Sequence, residues 1–200
     1  MDAQTHTLIH GQFDIAESSP KDLHTFFFPL KQQGLNPRSF TVDGNQHVIR
    51  FLKSLWPDVL IQRCLIHIQR QGLMWCRMKP KRYDAKLLRK LFLSLSHIHS
   101  HAEKNRFLKQ FYKWEHRYGT TIGSSPERGW VFSDLKRARS MLLKALPHMF
   151  HYLDDPAIPT STNGIEGYFS RLKSHYRQHR GLAPHKRKNY FAYYFFLKPK

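Results

Sequence analysis

The segment STNGIEGYFSRLKSHYRQHRGL, residues 161–182, holds the last acidic residue of the chain, Glu166; only basic and neutral side chains follow it to Lys200. A carboxylate at the head of such a helix has two employments. Asn163 can cap the helix with Glu166 as its N3 partner, a variant of the capping box. Alternatively, Glu166 is a metal ligand beside bound phosphates. On a helical wheel Ile165, Phe169, Leu172 and Tyr176 form an apolar stripe, and Glu166, Ser170, Lys173 and Arg177 form the adjacent one. A cap needs no such row of phosphate-seeking groups behind it, whereas a metal ligand next to a nucleic-acid backbone does. The two roles are compatible, and the residues alone leave both open.

Asp43 is the second carboxylate of interest. Asp43-Gly44 reads as a hairpin pair by itself, but the residues after it follow a helical period. An Asp at the carboxyl end of a strand, entering a helix, lies where open α/β sheets bind ligands. Cys64-Leu-Ile-His67 offers zinc-type donors, yet only Cys76 and scattered histidines are left to complete four ligands, and the usual paired spacings are missing. A buried Cys at a strand end, with His67 opening the next helix, is the expected arrangement. HIHSH (97–101) is a further, adventitious metal candidate. Lys79, Lys81 and Arg82 form one basic cluster and Arg171 to Lys188 a longer one, both read as phosphate contacts. Tyr168, Tyr176, Tyr190 and Phe191 can stack on bases, but at helical spacing such rings belong to a core.

These residues require elements to hold them. THTLIHGQF (5–13) is β-like. Ser19, Pro20 and Gly34 bracket a helix. Phe40–Val42 is a short strand ending at Asp43. Val48, Phe51, Leu52, Leu55 and Trp56 then keep helical spacing up to Pro57. Val59-Leu60-Ile61 is another strand, polar again at Gln62, before a helix carrying His67 and Arg70. This alternation predicts an α/β sheet with parallel strands. From about residue 80 the pattern is helical only, with faces at Leu87, Leu88, Leu91, Phe92 and Leu95, at Phe107, Leu108, Phe111 and Tyr112, and at Leu135, Ala138, Leu142, Ala145 and Met149. DDPAIPTST (154–162) is a linker.

Composition limits the partners. The 200 residues carry 33 Lys+Arg against 14 Asp+Glu, a net charge of +19, which calls for a polyanion, most simply nucleic acid. At 40% hydrophobic and 14% aromatic the chain can bury a core. Two cysteines do not make a disulfide framework, and a reducing compartment is expected. No basic and apolar leader opens the chain and no apolar run reaches membrane-span length, so a cytoplasmic protein is expected.

TVDGN, QRCLIH, the helical stretch, STNGIEGYFSRLK and HRGL, in this order and spacing, resemble bacterial insertion-sequence transposases with an RNase H-like core, closest to the mutator-type group. The resemblance extends over about residues 5 to 198. It implies an Asp-Asp-Glu (DDE) triad in which Asp43 is the second aspartate and Glu166 the glutamate. Cys64 and His67 match the C-x-x-H motif, with His67 auxiliary. It also implies two Mg²⁺ (or Mn²⁺) ions held by Asp43, Glu166 and a first aspartate. Arg63, Arg171, Lys173 and Arg177 become candidates for the DNA backbone. DNA, as element ends and target, is the partner, with a homo-oligomer and a nucleoid-associated bacterial location.

The expected fold is a partial RNase H-like core, a mixed sheet flanked by helices, with an all-helical insertion before the Glu helix. Residues 1–79 are its incomplete N-terminal part, 80–155 the insertion, and 156–200 the Glu166 helix with a basic tail. One departure stands out. Asp14 leaves room for only one helix before Asp43, and Asp2 sits too near the terminus for mid-strand. Neither suits the first aspartate, which is expected upstream of Met1 in a truncated or interrupted copy that does not cleave alone. The rival class is a non-catalytic basic nucleic-acid-binding protein.

Overall fold

Ser19 accepts a hydrogen bond from the Asp22 amide, Pro20 occupies the first helical position, and Gly34 takes a positive φ of 90° beyond the end: these signals bound α1, Pro20–Gln32. The computed structural model describes residues 1–124, 130–179 and 181–198. Strand β1, Ser39–Val42, runs into the Asp43-Gly44-Asn45 loop. Asn45 caps α2, Gln46–Leu55, its side chain accepting from the His47 amide at 2.9 Å. Strand β2, Leu60–Arg63, pairs with β1 in a two-stranded parallel sheet. Next come α3, Leu65–Cys76, α4, Tyr83–Ser94, and α5, His101–Trp114. A π-helical turn, Glu115–Gly119, leads into α6, Thr120–Ser124. Then follow α7, Trp130–Ala145, α8, Asn163–Gln178, and α9, Arg187–Leu197.

The chain divides into two compact units, Met1–Ile61 with Ala157–Lys200, and Gln62–Pro156. In the first, Ile49, Leu52, Trp56, Val59 and Ile61 form a core joined by Phe27, Phe40 and Val42 from α1 and β1. The expected strand at 5–13 is absent. His6 and Asp14 have positive φ, and the end of the segment packs on α9 instead. Phe13 stacks on Phe191 at 4.8 Å between centroids, and a Cβ at Gly11 would meet the Phe195 ring at 2.8 Å. The sheet is therefore smaller than the sequence alternation predicts.

The second unit is the helical block. Leu135, Ala138, Leu142, Ala145 and Met149 are all within 1% of complete burial, as the periodicity of α7 requires. Gly72 of α3 admits α4, because a Cβ there would stand 2.3 Å from Phe92. The Trp114 indole N–H donates to the Asp84 carbonyl at 2.9 Å, fixing α5 to α4. Asp84 itself is buried and takes two bonds from Arg82. Gln62 and Arg63, expected to lie past the strand, are inside it and buried, with the Gln62 amide donating to the Met149 carbonyl at 2.9 Å.

Candidate active site and nucleic-acid interface

Asp43 is exposed in the loop that leaves the carboxyl end of β1, and its Oδ1 accepts from the Asn45 amide at 3.2 Å. Asn45 holds the same loop to Glu17, its Nδ2 donating to Oε2 at 2.8 Å. Glu17 was not anticipated, because a lone Glu in AESSP carries no pattern. The strand approach to Asp43 is tied to the linker before α8, where the Thr41 hydroxyl donates to the Pro159 carbonyl at 2.9 Å.

Glu166 lies in the first turn of α8, where the unpaired amides favour negative charge. The helix cap is Thr162 rather than Asn163, which is already helical, and the Thr162 side chain makes no capping bond to an amide. Its hydroxyl instead donates to Glu166 Oε1 at 2.6 Å. The box with Asn163 as cap is thus not the arrangement adopted, and Glu166 is held by a side-chain bond from the residue that caps the helix.

The inward face of α8 is rotated from the expected stripe. Tyr168 and Leu172 are buried, whereas Phe169 is 37% exposed. The cause is α9, whose Tyr194 and Phe195 pack on Tyr168, and whose Phe191 packs on Tyr176 at 5.2 Å. Tyr168, Tyr176, Tyr190 and Phe191 are therefore ring–ring contacts of the helix pair, and burial raises the Tyr168 phenol above its usual pKa. Arg171, Lys173 and Arg177 are exposed on the remaining face. Arg180 of the HRGL motif lies outside the described residues.

In the second unit, Cys64 is fully buried directly after β2 and precedes α3, and His67 Nδ1 lies 3.2 Å from its Sγ. The structure thus brings the C-x-x-H pair together. Arg63 is only 5% exposed, unlike the three bases of α8. Cys76 ends α3, so about 18 Å of helix separates it from Cys64, too far to share a zinc ion. Burial pushes the Cys76 thiol up to about 12, which keeps it protonated. HIHSH is occupied in local structure. Ser100 caps α5, and Glu103 accepts from the His99 amide at 2.7 Å.

A divalent ion can be weighed against these residues. Asp43 and Glu166 offer carboxylate oxygens, the donors a hard dication takes. Among the described residues no three His, Cys, Asp or Glu side chains are grouped to hold a metal ion. The two carboxylates fit by type, but the described residues do not assemble a full ligand set. Asp2 spends its carboxylate on Gln4 and Thr5 in a local turn, which holds its pKa below the ordinary value.

A family model described as Transposase, Mutator family, matches residues 12–180. The chain belongs to this family of transposases. No curated protein and no solved structure matches it. The matched span contains Asp43, Cys64, His67, Glu166 and the exposed bases of α8, and membership makes DNA the partner of this transposase. Among the described residues no helix is long and apolar enough to cross a membrane.

Proposed function

We propose that this transposase cleaves and transfers DNA strands at insertion-sequence ends by metal-dependent phosphoryl transfer, on an RNase H-like core of the DDE type. Asp43 and Glu166 are two of its three carboxylates. The observation that carries the reading is their placement in one compact unit. Asp43 stands just past the carboxyl end of a parallel strand, Glu166 in the first turn of α8, and the Thr41–Pro159 bond joins the segments leading to them. Ligand sites of open α/β sheets lie beyond strand carboxyl ends.

Two Mg²⁺ or Mn²⁺ ions, when bound, activate a water or 3′-hydroxyl and neutralise charge on the leaving oxygen. The chain's own groups do the positioning. Thr162 orients the Glu166 carboxylate, and the Asn45 amide orients Asp43. Arg171, Lys173 and Arg177 grip phosphates from the open face of α8. His67, held against Cys64, is an auxiliary hydrogen-bonding group, and Arg63 supplies positive charge from inside β2. A homo-oligomer working in the bacterial cytoplasm, at the nucleoid, completes the proposal.

The test is strand cleavage of DNA bearing element ends by the whole protein. Cleavage should need Mg²⁺ or Mn²⁺ and drop at least about 100-fold with Asp43→Asn or Glu166→Gln, while DNA binding persists. Undiminished cleavage by either variant contradicts the assignment. The net charge of +19 equally suits a second reading, a DNA-binding chain without cleavage; for that reading the protein stays inactive.

A further inference from the structure

Helix α9 is covered on two sides and open on a third. Towards α8 it presents Tyr190, Phe191 and Tyr194, which meet Tyr176, His179 and Tyr168. The N-terminal segment covers a second side, with Phe13 on Phe191 and Gly11 against the Phe195 ring. Tyr193, Phe196 and Leu197 share the remaining face at i, i+3, i+4 spacing and are 67%, 80% and 69% exposed. Large apolar side chains grouped in this way mark a contact site, unlike the scattered exposure that any protein surface shows. The two helices run antiparallel. Tyr190 meets Tyr176 and His179 near the end of α8, whereas Tyr194 and Phe195 meet Tyr168 and Phe169 near its start. The open rings therefore lie at the end of the pair where α8 carries Glu166. Cations stand at the same end. The Arg171 guanidinium is 6.0 Å from the Tyr168 ring centroid, and Lys198 Nζ is 6.0 Å from that of Tyr194.

We propose that the open face of α9 is a stacking surface for unpaired bases of a DNA strand. The inference rests on DNA being the partner and adds which part of it this face takes, the bases rather than the backbone. Flat rings among cations suit a single strand, whose bases stack on the rings while its phosphates meet the cations. A duplex keeps its bases stacked on one another and offers no base faces to Tyr193 or Phe196. A second copy of this chain is disfavoured by charge. Pairing the face with itself would gather the cations of both copies at a segment that holds no carboxylate after Glu166.

The experiment follows fluorescence anisotropy of a labelled single-stranded oligonucleotide, its duplex, and an abasic strand of the same length, with the whole chain and no metal. Tyr193→Ala/Phe196→Ala should weaken single-strand binding at least about 10-fold. The salt dependence should stay as in the wild type, because no cation is removed. On the duplex and on the abasic strand the same substitutions should have no effect. Tyr193→Phe/Phe196→Tyr, which keeps both rings, should bind the single strand like the wild type. Undiminished single-strand binding by the alanine variant overturns the proposal, as does an equal loss on all three probes. A lower sedimentation mass of the alanine variant assigns the face to contact between copies and likewise overturns it. A wild-type chain that binds none of the probes would contradict DNA as the partner, a different failure.

Discussion

At the head of α8 the structure shows which residue is the cap. Thr162, not Asn163, holds that position, its hydroxyl donates to Glu166 Oε1, and the helix start gains from the carboxylate's charge. No spacing rule distinguishes the two, because Ser161, Thr162 and Asn163 are all good capping residues. Arg63 is a similar case. A lone Arg after an apolar run reads as the end of a strand, and only the packing of β2 shows it buried. Tyr152 supplies a residue-scale prediction. Its hydroxyl donates to the Ile98 carbonyl at 2.7 Å, and burial lifts the phenol from 10 to about 12. A raised folded value means that the neutral phenol contributes stability in full below about pH 10, and that the contribution is lost as pH rises through 12. Melting curves across this window should therefore fall more steeply for the wild type than for Tyr152→Phe. Parallel curves would contradict the buried neutral phenol.

Among the elements, α1, β1, α2, α3 and the helical faces of residues 80–155 were legible, because caps, Pro, Gly and 3.6-residue periodicity act locally. The sheet was not. Residues 5–13 have strand-like composition, but Phe13 and Gly11 fit the aromatic surface of α9, an interaction invisible without knowing where α9 lies. In the apolar stripe of α8, Leu172 is buried as expected, but Tyr168 packs on both Tyr194 and Phe195 and is buried, whereas Phe169 meets only Phe195 among these rings and stays 37% exposed. The π-helical turn at Glu115–Gly119 also has no sequence signal. It accompanies a bidentate Arg139–Glu115 pair, with Arg139 Nε within 2.8 and 2.9 Å of the two oxygens, and Gly119 leaves space that a Cβ would deny to the carboxylate. Tight helix contact makes its own prediction. Gly72→Ala should destabilise the chain by about 1–3 kcal/mol through collision with Phe92, read by chemical denaturation. Phe92→Leu should relieve part of that cost; a cost that persists unchanged would mean that the ring is not the obstacle.

For the molecule as a whole, charge and motif order announced a DNA-handling enzyme before any element was placed, and the family match over residues 12–180 bears that out. Asp43 and Glu166 stand 123 positions apart in sequence, and no local pattern announces that both belong to one compact unit. In the proposed site Asp43 and Glu166 serve the same metal ions. The most direct measurement is a Mn²⁺ titration of the chain with DNA present, following the EPR signal of free Mn²⁺ for wild type, Asp43→Asn, Glu166→Gln and the double variant. Ligands of a shared site are not additive, so each single substitution should weaken binding and the double variant should be little worse than either. Independent, additive losses, or Mn²⁺ binding untouched by both substitutions, would contradict a shared site.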